Sequence, residues 1–189
     1  MATRPKAKAT TPARKASASR KPSAAAQQSK AAPTSARSTT KALGFQDFEA
    51  IRQLLSRYCM LIDQGDLVGL SELYHRNATF SVSFDSVKSH SGREAILNWY
   101  ARFFRERPGK VGFPRHKLFE PCIIAERGTV TASSYFDSDF VEESGAVRIL
   151  AGRYDDVLVK NRGRWFFKSR TIVIHHHYSP GKAHPGMMS

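Results

Sequence analysis

Two side chains of this sequence could together make a general base. Asp63 stands at the end of a predicted amphipathic helix, and His116 stands much further along the chain, where a β-rich region begins. A carboxylate that accepts a hydrogen bond from one imidazole nitrogen leaves the other nitrogen free to take a proton near neutral pH. The pair is therefore a candidate for proton abstraction if the fold joins the two residues. Otherwise Asp63 simply ends a helix and His116 is an ordinary strand histidine.

The helix predicted before Asp63 has an apolar stripe whose residues are spaced alternately three and four apart. The stripe consists of Phe48, Ile51, Leu55, Tyr58 and Ile62. Asp47 is predicted to cap this helix at its N-terminus, and Gly65 is predicted to end it. We expect three further elements: a short helix capped by Asp66, a strand over residues 77–83, and a third helix opening with a capping box at 91–94.

The hydrophobic period becomes strand-like after the third helix. Four β segments are predicted at residues 115–126, 129–142, 146–160 and 164–177. Short polar turns that contain glycine separate them, and such turns favour antiparallel hairpins. Helices in the N-terminal half of the domain and long strands in its C-terminal half predict an α+β fold. In this fold three helices lie across the concave face of a curved antiparallel sheet.

Charge is distributed unevenly along the 189-residue chain. Residues 1–41 contain ten Lys and Arg side chains, no Asp, no Glu and no aromatic residue, so they carry +10 of the formal net charge of +14. Such a segment cannot bury enough apolar surface to offset the entropy of ordering it. We predict a disordered basic tail over 1–41, a folded domain over 42–178 and a short C-terminal tail over 179–189.

The sequence favours a soluble, cytoplasmic protein with no membrane partner. No apolar run reaches the length that a membrane span needs, and no signal-peptide core follows the basic start. The two cysteines do not indicate a disulfide framework, because Cys59 lies inside the first predicted helix.

The basic tail has three interpretations: a solvated extension, a weak non-specific contact with nucleic acid, or an organelle transit peptide. Lys and Arg neutralise phosphates without needing a fold.

Deleting residues 1–41 should leave the melting temperature unchanged, because the segment is expected to make few packed contacts. The deletion should also abolish any binding to DNA. In the full-length chain, DNA binding should weaken steeply as the salt concentration rises. Calorimetry and filter binding measure both effects. Equal DNA binding by the truncated chain would place the contact on the folded domain.

Five stretches of the chain form a pattern that extends beyond the individual elements. They are residues 51–66, 73–80, 92–96, 151–156 and 163–165. In the order helix, helix, strand, helix and then four strands, they resemble the SnoaL-like group of the nuclear transport factor 2-like superfamily. The resemblance covers residues 45–178 and implies a cone-shaped α+β barrel with a deep pocket. It is weaker evidence for function, because such folds carry many activities.

The resemblance also implies a site. Dehydratases, dehydrochlorinases and isomerases of the family use an Asp–His pair in the pocket, for which Asp63 and His116 are the matching residues. Tyr58, five residues before Asp63, would donate to a leaving hydroxyl or to an enolate oxygen, or else pack in the core. No cofactor is predicted. The resemblance further implies a homodimer through the outer face of the sheet. The apolar residues expected there are Ile149, Val157, Val159, Ile172 and Ile174.

Several further residues are candidates for binding. The predicted pocket-lining residues are Phe80, Trp99, Phe103 and Tyr135, with Asp139 as a further polar candidate. Aromatic side chains suit an apolar, ring-containing substrate, although they could equally fill the core. His175, His176 and His177 could suggest a metal, but no third ligand with a typical spacing accompanies two imidazoles on one strand face. We therefore predict no metal site and place these histidines at the rim of the last strand.

These observations favour a cofactor-independent lyase or isomerase that abstracts a proton from a small hydrophobic molecule. Two alternatives remain on the same fold. One is a non-catalytic module that binds a ligand or acts structurally, like the β-subunit of a ring-hydroxylating oxygenase. The other is a nucleic-acid-associated protein recruited by its basic tail. The Asp–His pair favours the enzyme, because a purely structural subunit does not need it.

Overall fold

In the computed structural model, residues 43–106 and 112–182 are described. The helices are α1 (Phe45–Gln64), α2 (Leu67–Leu73) and α3 (Arg93–Arg105). The strands are β1 (Tyr74–Val82), β2 (His90–Ser91), β3 (Gly112–Leu118), β4 (Cys122–Glu126), β5 (Thr129–Val141), β6 (Ala146–Asn161) and β7 (Arg164–Lys182). The tail predicted over residues 1–41 and residues 183–189 lie outside the described residues. None of the described helices combines the length and apolar character that a membrane crossing requires.

The predicted α+β class is confirmed, with a curved sheet beside three helices. Its strand order is β2-β1-β7-β6-β5-β3, and β4 pairs with β5 beyond the end of β3. The hairpins β4–β5, β5–β6 and β6–β7 are antiparallel, as the short turns predicted. The sheet as a whole is mixed, because β1 runs parallel to β7. These two strands are distant in sequence, so no tight turn forces them to be antiparallel.

One predicted β segment is in fact two strands. Residues 115–126 were expected to be continuous, but β3 ends at Leu118 and β4 begins at Cys122. Pro121 stands in the interruption and has no backbone N–H to donate to a ladder. Both strands pair with the same edge of β5, so the break changes the direction of the chain without leaving that edge.

The predictions for the helix ends are partly correct. Gly65 ends α1 in the left-handed conformation, with φ of 69°. Asp66 caps α2, and its carboxylate accepts the Gly69 N–H at 2.9 Å. The predicted N-cap of α1 is wrong, because the helix begins at Phe45 after Gly44. The capping box at 91–94 is also wrong, since Ser91 lies in β2 and no side chain caps α3.

Asp47 has a different role, which holds α1 to the sheet. Its carboxylate accepts hydrogen bonds from Trp165 Nε1 at 3.0 Å and Lys160 Nζ at 2.6 Å. Both donors belong to the β6–β7 hairpin. The first turn of α1 is thereby fixed against the sheet, which sets the position of the other end of the helix, where Asp63 lies.

The core lies between the buried stripe of α1 and the inner face of the sheet. Ile51, Leu55 and Tyr58 are fully buried on this helix stripe. Two of the residues expected on the outer sheet face, Ile172 and Ile174, instead line an internal cavity. The outer-face interpretation of these two residues is therefore wrong. Ile172 and Ile174 occupy inward-facing positions of β7, and a one-residue slip is enough to exchange the faces of a strand.

Candidate functional site

Asp63 and His116 meet in the structure. The Oδ1 atom of Asp63 lies 2.5 Å from His116 Nδ1, and Oδ2 accepts the backbone N–H of His116 at 2.9 Å. Both side chains are largely shielded from solvent, with 16% and 10% of their surfaces exposed. One carboxylate thus fixes both the backbone and the ring of the histidine. With Nδ1–H donated to Asp63, the Nε2 lone pair is the one available to accept a proton.

The fold explains this meeting. Asp63 lies in the last turn of α1, immediately before the helix ends at Gly65. His116 lies on β3, opposite Ser138 of β5. Because β3 pairs with the outer edge of β5, it crosses the end of α1 at the rim of the sheet. The helix end therefore supplies the orienting carboxylate, and the terminal strand supplies the imidazole.

His116 borders a cavity of about 230 Å³ in the interior of the domain. The apolar wall is formed by Ile62, Val82, Phe84, Trp99, Phe103, Pro114, Phe136, Phe140, Leu150, Tyr154, Ile172 and Ile174. Polar groups of the wall belong to Tyr58, Tyr100, His116, Ser138 and Glu142, and the ring of Tyr154 carries a further hydroxyl. A mostly apolar cavity with a few convergent polar groups is the usual form of a small-molecule site.

Three tyrosine hydroxyls form a chain beside the cavity. Tyr100 Oη lies 3.0 Å from Tyr58 Oη and 2.9 Å from Tyr74 Oη. Tyr58 and Tyr100 line the cavity, whereas Tyr74 lies behind them in the core. Burial raises the pKa of all three phenols above the ordinary value, so they remain protonated donors at neutral pH.

A buried ion pair lies next to this chain. Arg170 and Asp156, direct neighbours across β6 and β7, are both fully buried and share two hydrogen bonds of 2.8 Å. The guanidinium lies 3.9 Å from the Tyr58 ring centroid and 3.9 Å from that of Phe167. Burial raises the pKa of Tyr58, and the Arg170 charge opposes that rise. The cation is thus enclosed by aromatic faces at the side of the cavity.

The predicted binding residues are divided between the cavity and other places. Trp99 and Phe103 line the cavity and stack on each other with their centroids 5.1 Å apart. Phe80 is fully buried and packs edge-on against Trp99 without lining the cavity. Tyr135 is 56% exposed and contacts His175. Asp139 forms ion pairs with cations of β3, as described next.

Asp139 does not line the cavity. Arg115 Nη2 lies 2.7 Å from its carboxylate and Lys117 Nζ lies 3.2 Å from it. Arg115 and Lys117 flank His116 in the sequence, so their side chains point to the opposite face of β3. Asp139 therefore stabilises the outer face of β3, whereas His116, the candidate base, lies on the inner face of the same strand.

Four polar cavity residues were not singled out by the sequence analysis. Tyr100 lies in the third helix, Ser138 and Glu142 lie in the predicted β segment 129–142, and Tyr154 lies in the predicted β segment 146–160. Within the described part of the chain, the Ser138 hydroxyl has no hydrogen-bond partner and the Glu142 carboxylate accepts from Arg148 Nε at 2.8 Å. The available signal was the alternation of Phe136, Ser138 and Phe140, which places all three on one face.

The three consecutive histidines are exposed near the end of the described chain. The β6–β7 register shifts there, since Ala151 pairs with His176 while Gly152 pairs with Ile174. His175 is consequently an extra residue in a bulge, which breaks the simple alternation expected of the strand. Among the described residues, no three His, Cys, Asp or Glu side chains come together in a way that could hold a metal ion.

A second Asp–His pair anchors the loop that carries Phe84 to the cavity edge. Asp85 accepts hydrogen bonds from Trp99 Nε1 at 2.5 Å and from the Val87 N–H at 3.0 Å, and it lies 2.9 Å from His90 Nε2. These contacts, led by the Val87 N–H and then His90, hold the pKa of Asp85 at about 2. The loop between β1 and β2 is thus fastened to α3 through one carboxylate.

Acid should release this loop. A carboxylate with a depressed pKa stabilises the fold fully above its ordinary value of about 4 and loses that contribution as the pH falls towards 2. In a Trp165→Phe background, Trp99 fluorescence should stay constant down to about pH 4 and change below it. Asp85→Asn should lack this transition while circular dichroism reports retained secondary structure. The same transition in both proteins would contradict the assignment.

Comparison with known proteins agrees with this architecture. The family model described as a SnoaL-like domain matches residues 45–171. No curated protein sequence matches the chain significantly.

Among solved structures, a hexachlorocyclohexane dehydrochlorinase (LinA type 2) is similar, with a TM-score of 0.63 and 14% identity over 75% of this chain and 95% of that one. A candidate scytalone dehydratase from Novosphingobium aromaticivorans has a TM-score of 0.61 and 20% identity, over 74% of this chain and 93% of its own. A Catenulispora acidiphila protein in complex with S-DNPA has a TM-score of 0.59 and 22% identity, over 67% of this chain and 92% of that one.

Identities of this size show a shared fold and leave the activity open. The family match is different in kind, because it covers well over half of the chain and includes α1, α3 and most of the sheet. With the observed helix and strand order, it assigns this chain to the family of SnoaL-like domains.

Proposed function

We propose that this protein is a cofactor-independent lyase or isomerase in which His116 abstracts a proton from a small hydrophobic molecule. The contact that carries this proposal is the double attachment of His116 to Asp63, through both the ring and the backbone N–H. An imidazole held in one orientation and one tautomer beside an apolar cavity has the two properties of a general base, which are correct position and an available lone pair. Dehydratase and dehydrochlorinase neighbours on the same fold support this class of reaction.

The surroundings of His116 suit this chemistry. Its ring lies against Phe136, whose ring stacks on Tyr154 with centroids 4.1 Å apart. Such walls exclude water, so a weakly acidic C–H bond would meet the imidazole without competition from solvent. Asp63 would stabilise the imidazolium that forms when the proton is taken. The proton can then return to another carbon, which gives isomerisation, or leave with the departing group, which gives elimination.

A generic elimination substrate tests the proposal before the natural substrate is known. In 5-nitrobenzisoxazole, removal of one carbon-bound proton breaks the N–O bond and releases a coloured phenolate. The wild-type protein should accelerate this reaction with saturation kinetics, and His116→Ala should abolish the acceleration. His176→Ala is the matched control, because this histidine is exposed and does not line the cavity.

Two outcomes would overturn the proposal. If the wild-type protein binds the probe without accelerating its elimination, the domain is a non-catalytic ligand-binding module. If acceleration survives in a folded His116→Ala variant, the proton is taken by another group. Far-ultraviolet circular dichroism of each variant confirms that the fold is retained.

The proposal includes a cytoplasmic homodimer. Cys59 and Cys122 are free thiols, which suits a reducing compartment. Val157 and Val159 remain half-buried on the outer face of β6, away from the cavity, and would contribute apolar surface to a two-fold interface. Sedimentation should give twice the chain mass at tens of micromolar (about that range for a stable interface). A monomer at that concentration would contradict the interface.

A further inference from the structure

We infer that small, flat apolar molecules enter the cavity past the ring of Phe84, and that the Asp85 carboxylate holds this entrance closed. Both residues belong to the loop of residues 83–89, which connects β1 to β2. The inference goes beyond the proposed function, because it concerns how a molecule reaches the cavity and holds equally for an enzyme and for a non-catalytic binding module. The observation behind it is that this loop places one exposed ring in the cavity wall and one shielded carboxylate against α3.

Phe84 differs from the other residues of the cavity wall in how it is held. Its side chain is 60% exposed and lines the cavity, so one side of the ring faces solvent. The pairing of β1 with β7 ends at Val82, before Phe84. The other described wall residues lie in a helix or a strand, except Glu142, whose N–H donates to the Ala146 carbonyl at 2.8 Å and closes the β5–β6 hairpin. The Phe84 ring can therefore leave the wall without the loss of a hydrogen bond between strands.

A surface cleft of about 410 Å³ shares part of its wall with the cavity. The shared residues are Phe84, Trp99 and Phe103, so these three rings separate the two spaces. Trp99 and Phe103 are held on α3 and stack on each other. Phe84 is the one of the three that a loop carries, and its ring centroid lies 6.4 Å from that of Trp99. Displacement of the Phe84 ring would therefore join the cleft to the cavity, along a surface on which a flat ring can stack.

The Asp85 carboxylate attaches the middle of this loop to α3. Its side chain is 8% exposed, whereas Phe84 and Val87 of the same loop are exposed. The carboxylate accepts a hydrogen bond from Trp99 Nε1 at 2.5 Å, and Arg102 Nη2 lies 3.6 Å from it. Hydrogen bonds to an ionised group are stronger than those between neutral groups. The carboxylate therefore holds Phe84 next to the same helix that supplies the two fixed rings.

The two ends of the loop are fixed to the sheet. Ser83 donates its N–H to the Ile172 carbonyl and accepts the Ile174 N–H on Oγ, both at 2.9 Å. At the other end, His90 belongs to β2 and pairs with Phe80 of β1. Movement is thus confined to the segment between these ends, and the contacts of the Asp85 carboxylate decide whether this segment lies on α3. Closing loops of this kind control the entry and release of ligands in many enzymes.

An opened entrance and a lost wall contact have different kinetic effects. Opening the entrance raises the association rate and the dissociation rate by the same factor, so Kd is unchanged. Loss of a wall contact raises Kd, mainly through faster dissociation. Asp85→Asn removes the charge and leaves the wall intact, because Asp85 does not line the cavity. Both rates should therefore rise by about tenfold, the lower end of the effect of losing one hydrogen bond to a charged group.

Fluorine NMR with 4-fluoronitrobenzene, a flat and neutral molecule, tests this inference. Titration of the fluorine chemical shift gives Kd, exchange between the free and bound signals gives the dissociation rate, and their ratio gives the association rate. The wild-type protein should bind the probe, and Asp85→Asn should raise both rates at constant Kd. Phe84→Ala should raise the association rate at least as much, because it removes the ring itself. Val87→Ala is the matched control, because this exposed side chain of the same loop lines neither the cavity nor the cleft.

Three results would overturn the inference: no binding of the probe by the wild-type protein, unchanged rates in folded Asp85→Asn and Phe84→Ala, or an equal increase in Val87→Ala. Faster exchange in Arg148→Ala, with unchanged rates in the two loop variants, would place the entrance at the β5–β6 hairpin instead. The measurement needs no turnover, so it separates this inference from the proposed function. The expected exchange rates without elimination of 5-nitrobenzisoxazole would remove the base and keep the entrance. Elimination with unchanged exchange in the loop variants would do the reverse.

Discussion

Replacing His116 by Ala should lower kcat/KM for proton abstraction by about 10²–10⁴-fold, the usual contribution of a positioned proton-transfer group. Asp63→Asn should cause a loss in the same range, because an amide in place of the carboxylate no longer fixes the ring tautomer through the 2.5 Å contact to Nδ1. The double variant should be little slower than the worse single variant, since the two residues act as one unit.

Additivity is the decisive readout in this experiment. If Asp63 and His116 acted independently, the losses in the two single variants would multiply in the double variant. A double variant slower by that full product would contradict the orienting role of Asp63. Initial rates with 5-nitrobenzisoxazole, measured for all four proteins at one pH, are sufficient. His176→Ala in parallel shows whether loss of any histidine disturbs the assay.

The largest effect on stability is expected at the buried ion pair. Arg170→Met should reduce the free energy of unfolding by about 3–5 kcal/mol, because it leaves the Asp156 carboxylate buried without its counter-charge. Asp156→Leu should do the same by leaving the guanidinium unpaired. Arg170→Met with Asp156→Leu should recover most of the loss, since apolar side chains of similar size often replace a buried pair without net cost. Denaturant unfolding of the four proteins measures this directly.

The outcome for the combined variant also bears on why the pair is there. Recovery of stability in that variant, together with slower elimination of 5-nitrobenzisoxazole, would mean that the pair serves the cavity and not the fold. If the combined variant is as unstable as either single variant, the aromatic contacts of Arg170 with Tyr58 and Phe167 carry the stability instead.

The sequence predicted the elements that bring Asp63 and His116 together. The apolar stripe of α1 and the glycine after it placed Asp63 at a helix end, and the change of period placed His116 on the first strand of the β-rich region. Both signals are local, so short-range pattern was enough. The meeting of the two residues itself came from family resemblance, because no local pattern specifies which strand crosses a helix end.

Other parts of the site depend on long-range packing. Asp156 and Arg170 pair across two central strands, which the sequence does not indicate, because charged residues are rarely buried. Phe80 and Tyr135 looked equivalent to Trp99 as lining aromatics, but their faces are set by the register of β1 and β5 against their neighbours. The bulge at His175 changes the phase within one strand, which alternation alone does not reveal.

The attachment of His116 to Asp63 has a consequence for how substitutions at position 63 are tolerated. β3 ends the strand order of the described sheet, and an edge strand of this kind is prone to local opening. One oxygen of Asp63 holds the backbone of this strand and the other holds its imidazole. When the carboxylate is replaced, the protection of the β3 amides from hydrogen exchange and the rate of turnover should therefore fall together. Any substitution of Asp63 would therefore weaken both the attachment of β3 and the orientation of His116, so selection on either property also conserves the other.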